Sequence, residues 1–406
     1  MLDDPSAREA LVERLRRVVL ERHTYRARAQ TLDAFLREQL PPGAEAPATV
    51  AFAPDYRVTN PFQSLLAARL PERGVRAVPT DSPMALVRSG AVDPARLVYH
   101  RHWTATILGP ATSRRDAQRR CDAYLAELDE LKAAGGRVVW TVHNVLPHEC
   151  AYPEVERALR QGLADRADAL HVMCPDTPEL LREIAVLPPE RVRVLPHGSY
   201  VDVYPNVVDP RQARLELGLD PDDLVLLSLG GIRPYRGIDT LLDAFAEALP
   251  DEPRLRLVVA GRPGRHPSVP ELERRCRDHP RIVGHFEEVP DIDLQLYFNA
   301  ADVAVFSPRA VLNSGGVLLA WSFGRPVIAP AAGCLPSQVT PDVGLLYPPD
   351  RPDGLAAALR GAATLATPAA KQAAFERAHA HTHLDMADGY ADLVSSLLPR
   401  TPPGRP

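Results

Sequence analysis

Two glycine-rich segments in the second half of the 406-residue chain carry residue types that bind phosphate oxygens. The first, LGGIRPYRGID at residues 229–239, leads from an apolar run into an amphipathic helical pattern. Glycines let the backbone approach an anion, a helix N-terminus offers free N–H groups, and guanidinium groups neutralise a diphosphate. The alternative is a tight turn with solvated arginines. The predicted diphosphate-binding residues are Gly230, Gly231, Arg233 and Arg236.

The second segment, NSGG at residues 313–316, lies between a predicted strand that ends near Phe306 and an apolar helical pattern. Small residues ahead of a helix again form a cradle for anionic oxygens. Two such cradles in one half of the chain are hard to explain by packing alone. The predicted ligand contacts of this segment are Asn313, Ser314, Gly315 and Gly316.

Histidines and a glutamate follow a predicted strand in the first half of the chain. His143 and Asn144 come directly after RVVWTV at 137–142, and His148 and Glu149 lie a few residues further on. Removal of a proton from a hydroxyl group requires a carboxylate or an imidazole, so His143 and Glu149 are the predicted catalytic residues. The alternatives are a structural histidine and a surface or helix-capping glutamate. Their spacing is not HExxH, and no metal is predicted.

Two other polar positions follow predicted strands of the first half. His100 and His102 alternate in LVYHRHW and so face the same side, where they either line a cleft or pack in the core. Asn60 precedes a helical pattern in the loop after the first predicted strand. Residues predicted to contact a second substrate are Asn60, His102, Asn144 and His148.

Short apolar runs that alternate with helical patterns position these residues. Such alternation predicts parallel sheets covered by helices. The chain is therefore predicted to be α/β, with two Rossmann-like doubly wound domains that face each other across an inter-domain cleft, each holding one reactant. The predicted strands are 49–53, 97–100, 137–142, 169–173 and 192–195, followed by 224–229, 255–260, 281–284, 303–306 and 326–330.

The proline-rich segment GSYVDVYPNVVDP separates the two series of strands and is predicted to be a hinge. Residues 5–28 contain seven Arg and three Glu. This basic arm either covers the first domain as a solvated helix or contacts an anionic membrane surface or partner. The predicted divisions are an N-terminal helical arm (1–40), a first Rossmann-like domain (41–205), a second (206–398) and a disordered tail (399–406).

Composition excludes several classes of function. The net charge of −5 offers no basic field for nucleic acid. Five scattered cysteines form no C-x-x-C pair, and neither an 18-residue apolar run nor a signal peptide is present, so a reduced, cytoplasmic protein is predicted. The glycine spacing matches neither the GxGxxG fingerprint nor the P-loop. Only two lysines occur, both in helical surface patterns, which argues against pyridoxal-phosphate chemistry.

The motifs of the second half resemble the nucleotide-sugar half of GT-B glycosyltransferases. GGIRPYRGIDTLLDAF, YFNAADVAVFSP and FGRPVIAP are spaced as in the branch that includes glycogen-synthase-like and mannosyltransferase-like enzymes, the family 4-like glycosyltransferases. The resemblance covers Val192–Tyr347 and extends more loosely to WTVHN at 140–144. It implies metal-independent transfer of a hexosyl group from a nucleoside-diphosphate sugar to an acceptor hydroxyl, with no cofactor. The first domain would bind a glycan, glycolipid or small-molecule acceptor, and the second a UDP- or GDP-hexose.

The resemblance also assigns individual positions. Arg236 occupies the place of the family's diphosphate-binding lysine or arginine, and Gly231 that of a companion arginine, for which Arg233 lies two positions on. His143 matches a histidine that lies beside the donor sugar. Asn313 and Ser314, with the Gly315 and Gly316 N–H groups, are expected to make part of the diphosphate and sugar contacts.

Two positions depart from the pattern. The family has two glutamates separated by seven residues, and their places here are Val311 and Leu319, whose side chains accept no hydrogen bond. Ribose and sugar recognition must then differ, or activity is lost. Two alternatives therefore stay open, a catalytically silent GT-B paralogue that serves as a partner or scaffold and a GT-B nucleotide-sugar epimerase. Peripheral association of the cytoplasmic protein with a membrane, through the basic arm, also stays open.

Overall fold

The computed structural model of the protein describes residues 47–147 and 150–399. The predicted arm at 1–40, residues 400–406 of the predicted tail, and the candidates His148 and Glu149 lie outside the described residues. The rest of the chain folds into two parallel six-stranded sheets with helices on both faces. This architecture confirms the predicted α/β class with two doubly wound sheets.

The first sheet has the strand order β2-β1-β3-β4-β5-β6. Its inner strands are buried on both faces, which explains apolar runs such as RVVWT rather than a strict polar alternation. Val139 and Trp140, neighbours in β4, belong to apolar clusters on opposite sides of the sheet. The strands are β1 (Ala48–Ala53), β2 (Val75–Pro79), β3 (Leu97–Arg101), β4 (Arg137–Thr141), β5 (Ala169–Val172) and β6 (Val192–Val194).

The second sheet has the order β12-β11-β10-β7-β8-β9. The chain runs outward from β7 on one side and then returns to add β10 on the other. This reversal leaves a crevice at the carboxyl ends of β7 and β10, where open parallel sheets bind ligands. The strands are β7 (Leu224–Leu229), β8 (Leu255–Ala260), β9 (Ile282–His285), β10 (Val303–Val305), β11 (Val327–Pro330) and β12 (Gly344–Tyr347).

Helices cover both faces of the two sheets. Several begin with a side-chain cap, such as Ser113 before α4 and Thr382 before α15. The helices that precede β7 are α1 (Phe62–Leu66), α2 (Pro83–Arg88), α3 (Ala105–Leu108), α4 (Arg114–Ala133), α5 (Pro153–Arg166), α6 (Thr177–Leu181) and α7 (Pro210–Glu216). Those that follow it are α8 (Ile238–Ala248), α9 (Val269–Asp278), α10 (Leu294–Ala300), α11 (Gly315–Ser322), α12 (Leu335–Gln338), α13 (Gly354–Arg360), α14 (Pro368–His379) and α15 (His383–Leu397). Short 3-10 helices span Pro71–Arg73, Pro94–Arg96, Pro189–Arg191, Pro234–Arg236, Asp291–Asp293 and Gly361–Thr364.

The last helix, α15, packs on the first sheet although the sequence grouped it with the second domain. Met386 and Tyr390 are buried in the same apolar cluster as Val50 of β1 and Val139 of β4. The chain crosses back to the first sheet where it meets the hinge. A Cβ on Gly198 of the hinge would lie 2.5 Å from the Thr382 carbonyl oxygen, so only glycine permits this approach. The sequence therefore predicts that the second domain extends to residue 398, whereas in the structure α15 packs on the first domain.

Candidate active site

The carboxyl ends of the two sheets face each other, and two cavities lie between them. The histidine cavity, of about 610 Å³, is lined by residues 143–147 after β4 and by residues 305–316 after β10. The arginine cavity, of about 960 Å³, is lined by residues 57–61 after β1 and by loops that follow β7, β8 and β9. Both cavities therefore receive residues from both domains.

The histidine cavity lies at the reversal of the second sheet. Ser228 at the end of β7 and Val305 at the end of β10 both line it. His143 and Asn144 face these strands from the first domain, and Arg236 completes the wall. The structure thus brings together in one cavity the predicted residues His143, Asn144, Arg236, Asn313, Ser314, Gly315 and Gly316.

Helix α11 directs its N-terminus at this cavity. The Ser314 Oγ accepts a hydrogen bond from the Val317 N–H, so this side chain serves as the N-cap of the helix. The N–H groups of Gly315 and Gly316 are the first two of the helix and have no partner within it. A Cβ on Gly316 would lie 2.6 Å from Phe306 Cε1, and Gly316 is not among the residues with positive φ. Its lack of a side chain thus leaves room for the Phe306 ring beside the helix start.

Asn313, directly before the cap, has an unusual environment. Both polar atoms of its amide, Oδ1 and Nδ2, are buried and have no hydrogen-bond partner. Leaving a buried polar atom unpaired costs about 1–3 kcal/mol. Because Asn313 also lines the histidine cavity, its amide is placed to donate one hydrogen bond to a ligand and to accept another from it.

Arg236 is held by the turn that precedes α8. Its Nη2 donates to the Leu229 carbonyl, and its own carbonyl accepts from the Ser307 Oγ at 3.0 Å. The next residue, Gly237, has φ +63°, and a Cβ there would lie 2.0 Å from the Ser307 carbonyl oxygen. Burial lowers the pKa of the Arg236 guanidinium below its usual value. Because that usual value lies far above neutral pH, Arg236 keeps its positive charge.

His143 is fixed from three sides. Its ring stacks on Trp103, with centroids 3.9 Å apart and planes 13° apart, and meets the edge of Phe62 at 5.0 Å. Its Nε2 lies 3.2 Å from the Nδ1 of His102. Burial lowers the pKa of His143 well below its usual value, and the electrostatic effect of nearby histidines and Arg160 acts in the same direction. The ring is therefore neutral at physiological pH.

A buried ion pair that the sequence analysis did not identify holds the loop after His143. Arg160 of α5 donates to the Asn144 carbonyl at 2.6 Å and to the Asn144 Oδ1 at 2.7 Å. Arg160 also binds Glu156 at 2.9 Å, and each of the two residues is 1% exposed. Thr104 donates to the same Glu156 carboxylate. The four-residue spacing of Glu156 and Arg160 is typical of an ion pair on a helix, but no sequence pattern indicates that Arg160 contacts Asn144.

The remaining candidates lie elsewhere. Gly230, Gly231 and Arg233 line the arginine cavity with Asn60, so the predicted diphosphate segment is divided between two cavities. The Asn60 Oδ1 accepts from the Phe62 N–H, at the first residue of α1, at 3.0 Å. The division arises because the turn at Arg233–Gly237 passes between the cavities.

The position of His102 differs from the one expected of a residue that contacts a second substrate. It is only 3% exposed and lies beneath His143 rather than on the wall of either cavity. Its ring packs on that of His100, with centroids 4.0 Å apart. Both histidines therefore pack in the interior of the first domain, which is the alternative that the sequence left open.

The two positions that depart from the family pattern pack against apolar residues. Val311 lines the histidine cavity, and Leu319 packs against the apolar core of the second domain. Within residues 47–147 and 150–399, no group of three or more His, Cys, Asp or Glu residues is arranged to hold a metal ion. Among the helices described by the structure, none is long and apolar enough to cross a membrane.

Comparison with known proteins agrees with this geometry. Residues 223–364 match the family described as glycosyl transferases group 1. A GDP-mannose:glycolipid 4-beta-D-mannosyltransferase of Xanthomonas campestris pv. campestris is 31% identical over 254 residues, which cover 62% of this chain and 66% of the relative. A D-inositol 3-phosphate glycosyltransferase of Corynebacterium aurimucosum is 30% identical, over 51% of each chain. The matches thus span between half and two thirds of these relatives.

Solved structures show the same fold. HepE of Anabaena, in complex with UDP-glucose, superposes with a TM-score of 0.66 at 15% identity, covering 86% of this chain and 99% of that one. Sucrose-phosphate synthase of Thermosynechococcus elongatus gives a TM-score of 0.62 at 18% identity, over 86% and 98% of the two chains. Residues 223–364 thus match a group 1 glycosyl transferase domain, and the chain shares the GT-B fold of these solved structures.

Proposed function

We propose that the protein transfers a mannosyl group from GDP-mannose to a hydroxyl group of a glycolipid. The observation that carries this proposal is the histidine cavity. It combines the α11 N-terminus, the unpaired Asn313 amide and Arg236 on one wall with His143 on the opposite wall. This arrangement suits a reaction in which an anionic group departs from one domain while a hydroxyl group approaches from the other.

The second domain is suited to the diphosphate of the donor. The N–H groups of Gly315 and Gly316 carry the positive end of the α11 dipole, and Arg236 adds a full positive charge. Arg309 also lines the cavity, whereas no Asp or Glu is among its described lining residues. Fixed positive charge stabilises the diphosphate as the bond from the anomeric carbon to its phosphate oxygen breaks.

The first domain provides the proton acceptor. As the acceptor oxygen forms a bond to the anomeric carbon, its proton must move to a base. His143 is neutral at physiological pH and is the titratable base among the described residues that line the cavity. We therefore assign the proton to a ring nitrogen of His143, while Glu149 remains a second candidate outside the described residues.

The choice of GDP-mannose and a glycolipid follows the Xanthomonas relative, whose name gives both substrates. UDP-glucose is the competing donor, because HepE was solved with it. The amide of Asn313, with an NH2 donor group and a carbonyl acceptor, fits sugar hydroxyl groups and can take over part of the contacts that glutamates at positions 311 and 319 would make.

Thermal shifts with GDP, UDP, ADP and TDP and their sugars test the donor. A ligand that binds the folded protein raises its melting temperature in proportion to the logarithm of its concentration above Kd. We expect the largest shift from GDP-mannose, and transfer of labelled mannose to a bacterial glycolipid extract. Binding without transfer or hydrolysis would favour the silent-scaffold alternative, and a new free nucleotide sugar would favour an epimerase. No shift from any nucleotide would refute the proposed donor site.

A further inference from the structure

His102 is placed to decide which nitrogen of His143 carries the proton. The two rings lie at the carboxyl ends of neighbouring strands, β3 and β4, and their Nδ1 and Nε2 atoms are 3.2 Å apart. His102 itself is held in place, since its ring packs against that of His100 and its backbone N–H donates to the Ala53 carbonyl at 2.8 Å. The hydrogen bond therefore joins two rings whose orientations are fixed by packing.

The protonation of the two rings restricts this bond to two arrangements. Burial lowers the pKa of both His102 and His143 well below the usual value, so both are neutral. A neutral imidazole has one N–H donor and one acceptor nitrogen. Either His143 Nε2–H donates to His102, which leaves His143 Nδ1 without a proton, or His102 Nδ1–H donates to His143, which requires the proton on His143 Nδ1.

We propose that His102 is a positioning residue that accepts the hydrogen bond from His143 Nε2–H and so keeps His143 Nδ1 as an unprotonated base. The direction of the bond rests on the proposed function, because only this arrangement lets His143 take a proton from an acceptor hydroxyl. Trp103 and Phe62, which contact the His143 ring, prevent it from turning over to exchange its two nitrogens. His102 thus acts through His143 and does not touch the substrate.

Two variants of equal shape test the role of His102. In His102→Asn the side-chain oxygen lies near the position of Nδ1 and can accept the same bond, whereas His102→Leu has a similar volume and no polar atom. We expect His102→Leu to lower kcat about 10- to 100-fold with little change in the donor KM, and His102→Asn to recover most of the loss. A merely structural histidine would give the opposite order, since leucine suits a buried site better than an unpaired amide.

Nitrogen-15 NMR of the histidine side chains gives a readout that needs no turnover. The His143 signals are identified by their loss in His143→Gln. We expect the proton on Nε2 in the native protein and in His102→Asn, and a mixture of both tautomers in His102→Leu. A proton on Nδ1 in the native protein, or no change of tautomer in His102→Leu, would overturn the proposal.

The two measurements separate this inference from the proposed function. A protein that shows the expected tautomers and no transferase activity would refute the proposed function alone. An active enzyme with the proton on Nδ1 would refute the role of His102 alone. If His102→Leu does not fold, His102→Gln replaces it, because its amide reaches the position of Nε2 rather than Nδ1 and leaves the same bond unmade.

Discussion

Arg236 lies in the turn that leads into α8, and its position depends on Leu229 and Ser307. We expect Arg236→Ala to weaken nucleoside-diphosphate binding about 10- to 100-fold, or about 1.5–3 kcal/mol for a charge-assisted hydrogen bond. Isothermal titration calorimetry with GDP measures the change. Arg274→Ala is the control, because its ion pairs with Glu271 and Asp278 lie outside both cavities. Unchanged affinity in Arg236→Ala would remove this residue from the donor site.

Asn313 offers a second test at the scale of one residue. Replacing it with leucine, which has a similar shape, removes two buried polar atoms that have no partner. We expect Asn313→Leu to keep or raise the melting temperature of the unliganded protein and to lower donor-sugar affinity about tenfold, the equivalent of one hydrogen bond. A variant that loses stability but binds the donor normally would show that the amide serves the fold.

Only part of the site could be predicted at this scale. Gly-rich turns and a histidine after a strand are visible as local patterns, and the structure places His143, Arg236 and Asn313 in one cavity. The partner of His143 was not predictable, because the hydrogen bond joins residues of two strands and depends on the rotamer of each ring. The same holds for Arg160 and Asn144, which a helix and a loop bring together.

At the scale of elements, the ion pair of α5 ties the helix to the loop that carries His143. We expect Arg160→Leu to destabilise the protein by about 3–5 kcal/mol, because it leaves the buried Glu156 carboxylate without its cation. Removing both charges in Arg160→Leu/Glu156→Leu should cost less than the sum of the two single variants. Urea denaturation measures all three.

The control for this cycle is Arg182→Leu, which breaks an exposed pair with Glu179 and should cost under about 1 kcal/mol. Strict additivity of the Arg160 and Glu156 variants would contradict the description of the pair as one unit. Transfer activity should fall in Arg160→Leu even where the protein remains folded, since the loop at residues 143–147 then loses its anchor.

Strand prediction from the sequence found all inner strands of the two sheets and missed two of the four edge strands. The ten predicted strands correspond to strands of the two sheets, whereas β2 and β12 were not predicted. Both lie at sheet edges and are only partly buried. Arg76 and Pro79 interrupt the apolar run of β2, and β12 is four residues long and begins with glycine. Edge strands carry weaker apolar patterns because one side has no partner strand.

At the scale of the whole molecule, five histidines with buried or half-buried side chains make stability depend on pH. Burial lowers the pKa of each, to about 4 for His171 and His197. The unfolded chain, with histidine pKa values of about 6.5, binds more protons below that pH, so stability is complete above pH 6.5 and is lost as the pH falls toward 4. The other three histidines are His100, His102 and His143.

We expect the urea midpoint to fall steadily between about pH 6.5 and about pH 4.5, with each neutral histidine adding up to about 1.4 kcal/mol per pH unit. His171→Asn should give a shallower slope, by about one proton, whatever its effect on stability at neutral pH. Equal midpoints at both ends of this range would show that the histidines are protonated in the folded protein.

The position of α15 has a consequence for how the protein is made. The strands of the first sheet leave the ribosome early, but the helix that covers one of their faces is encoded roughly 190 residues after β6. At about 5–20 residues per second, that face remains open to water for about 10 to 40 s of synthesis. The second domain can complete its core before the first one does, because the first domain is complete only when α15 packs on its sheet. A nascent chain that stops short of α15 would therefore expose the apolar face around Val50 and Val139, a target for chaperones and a source of aggregation.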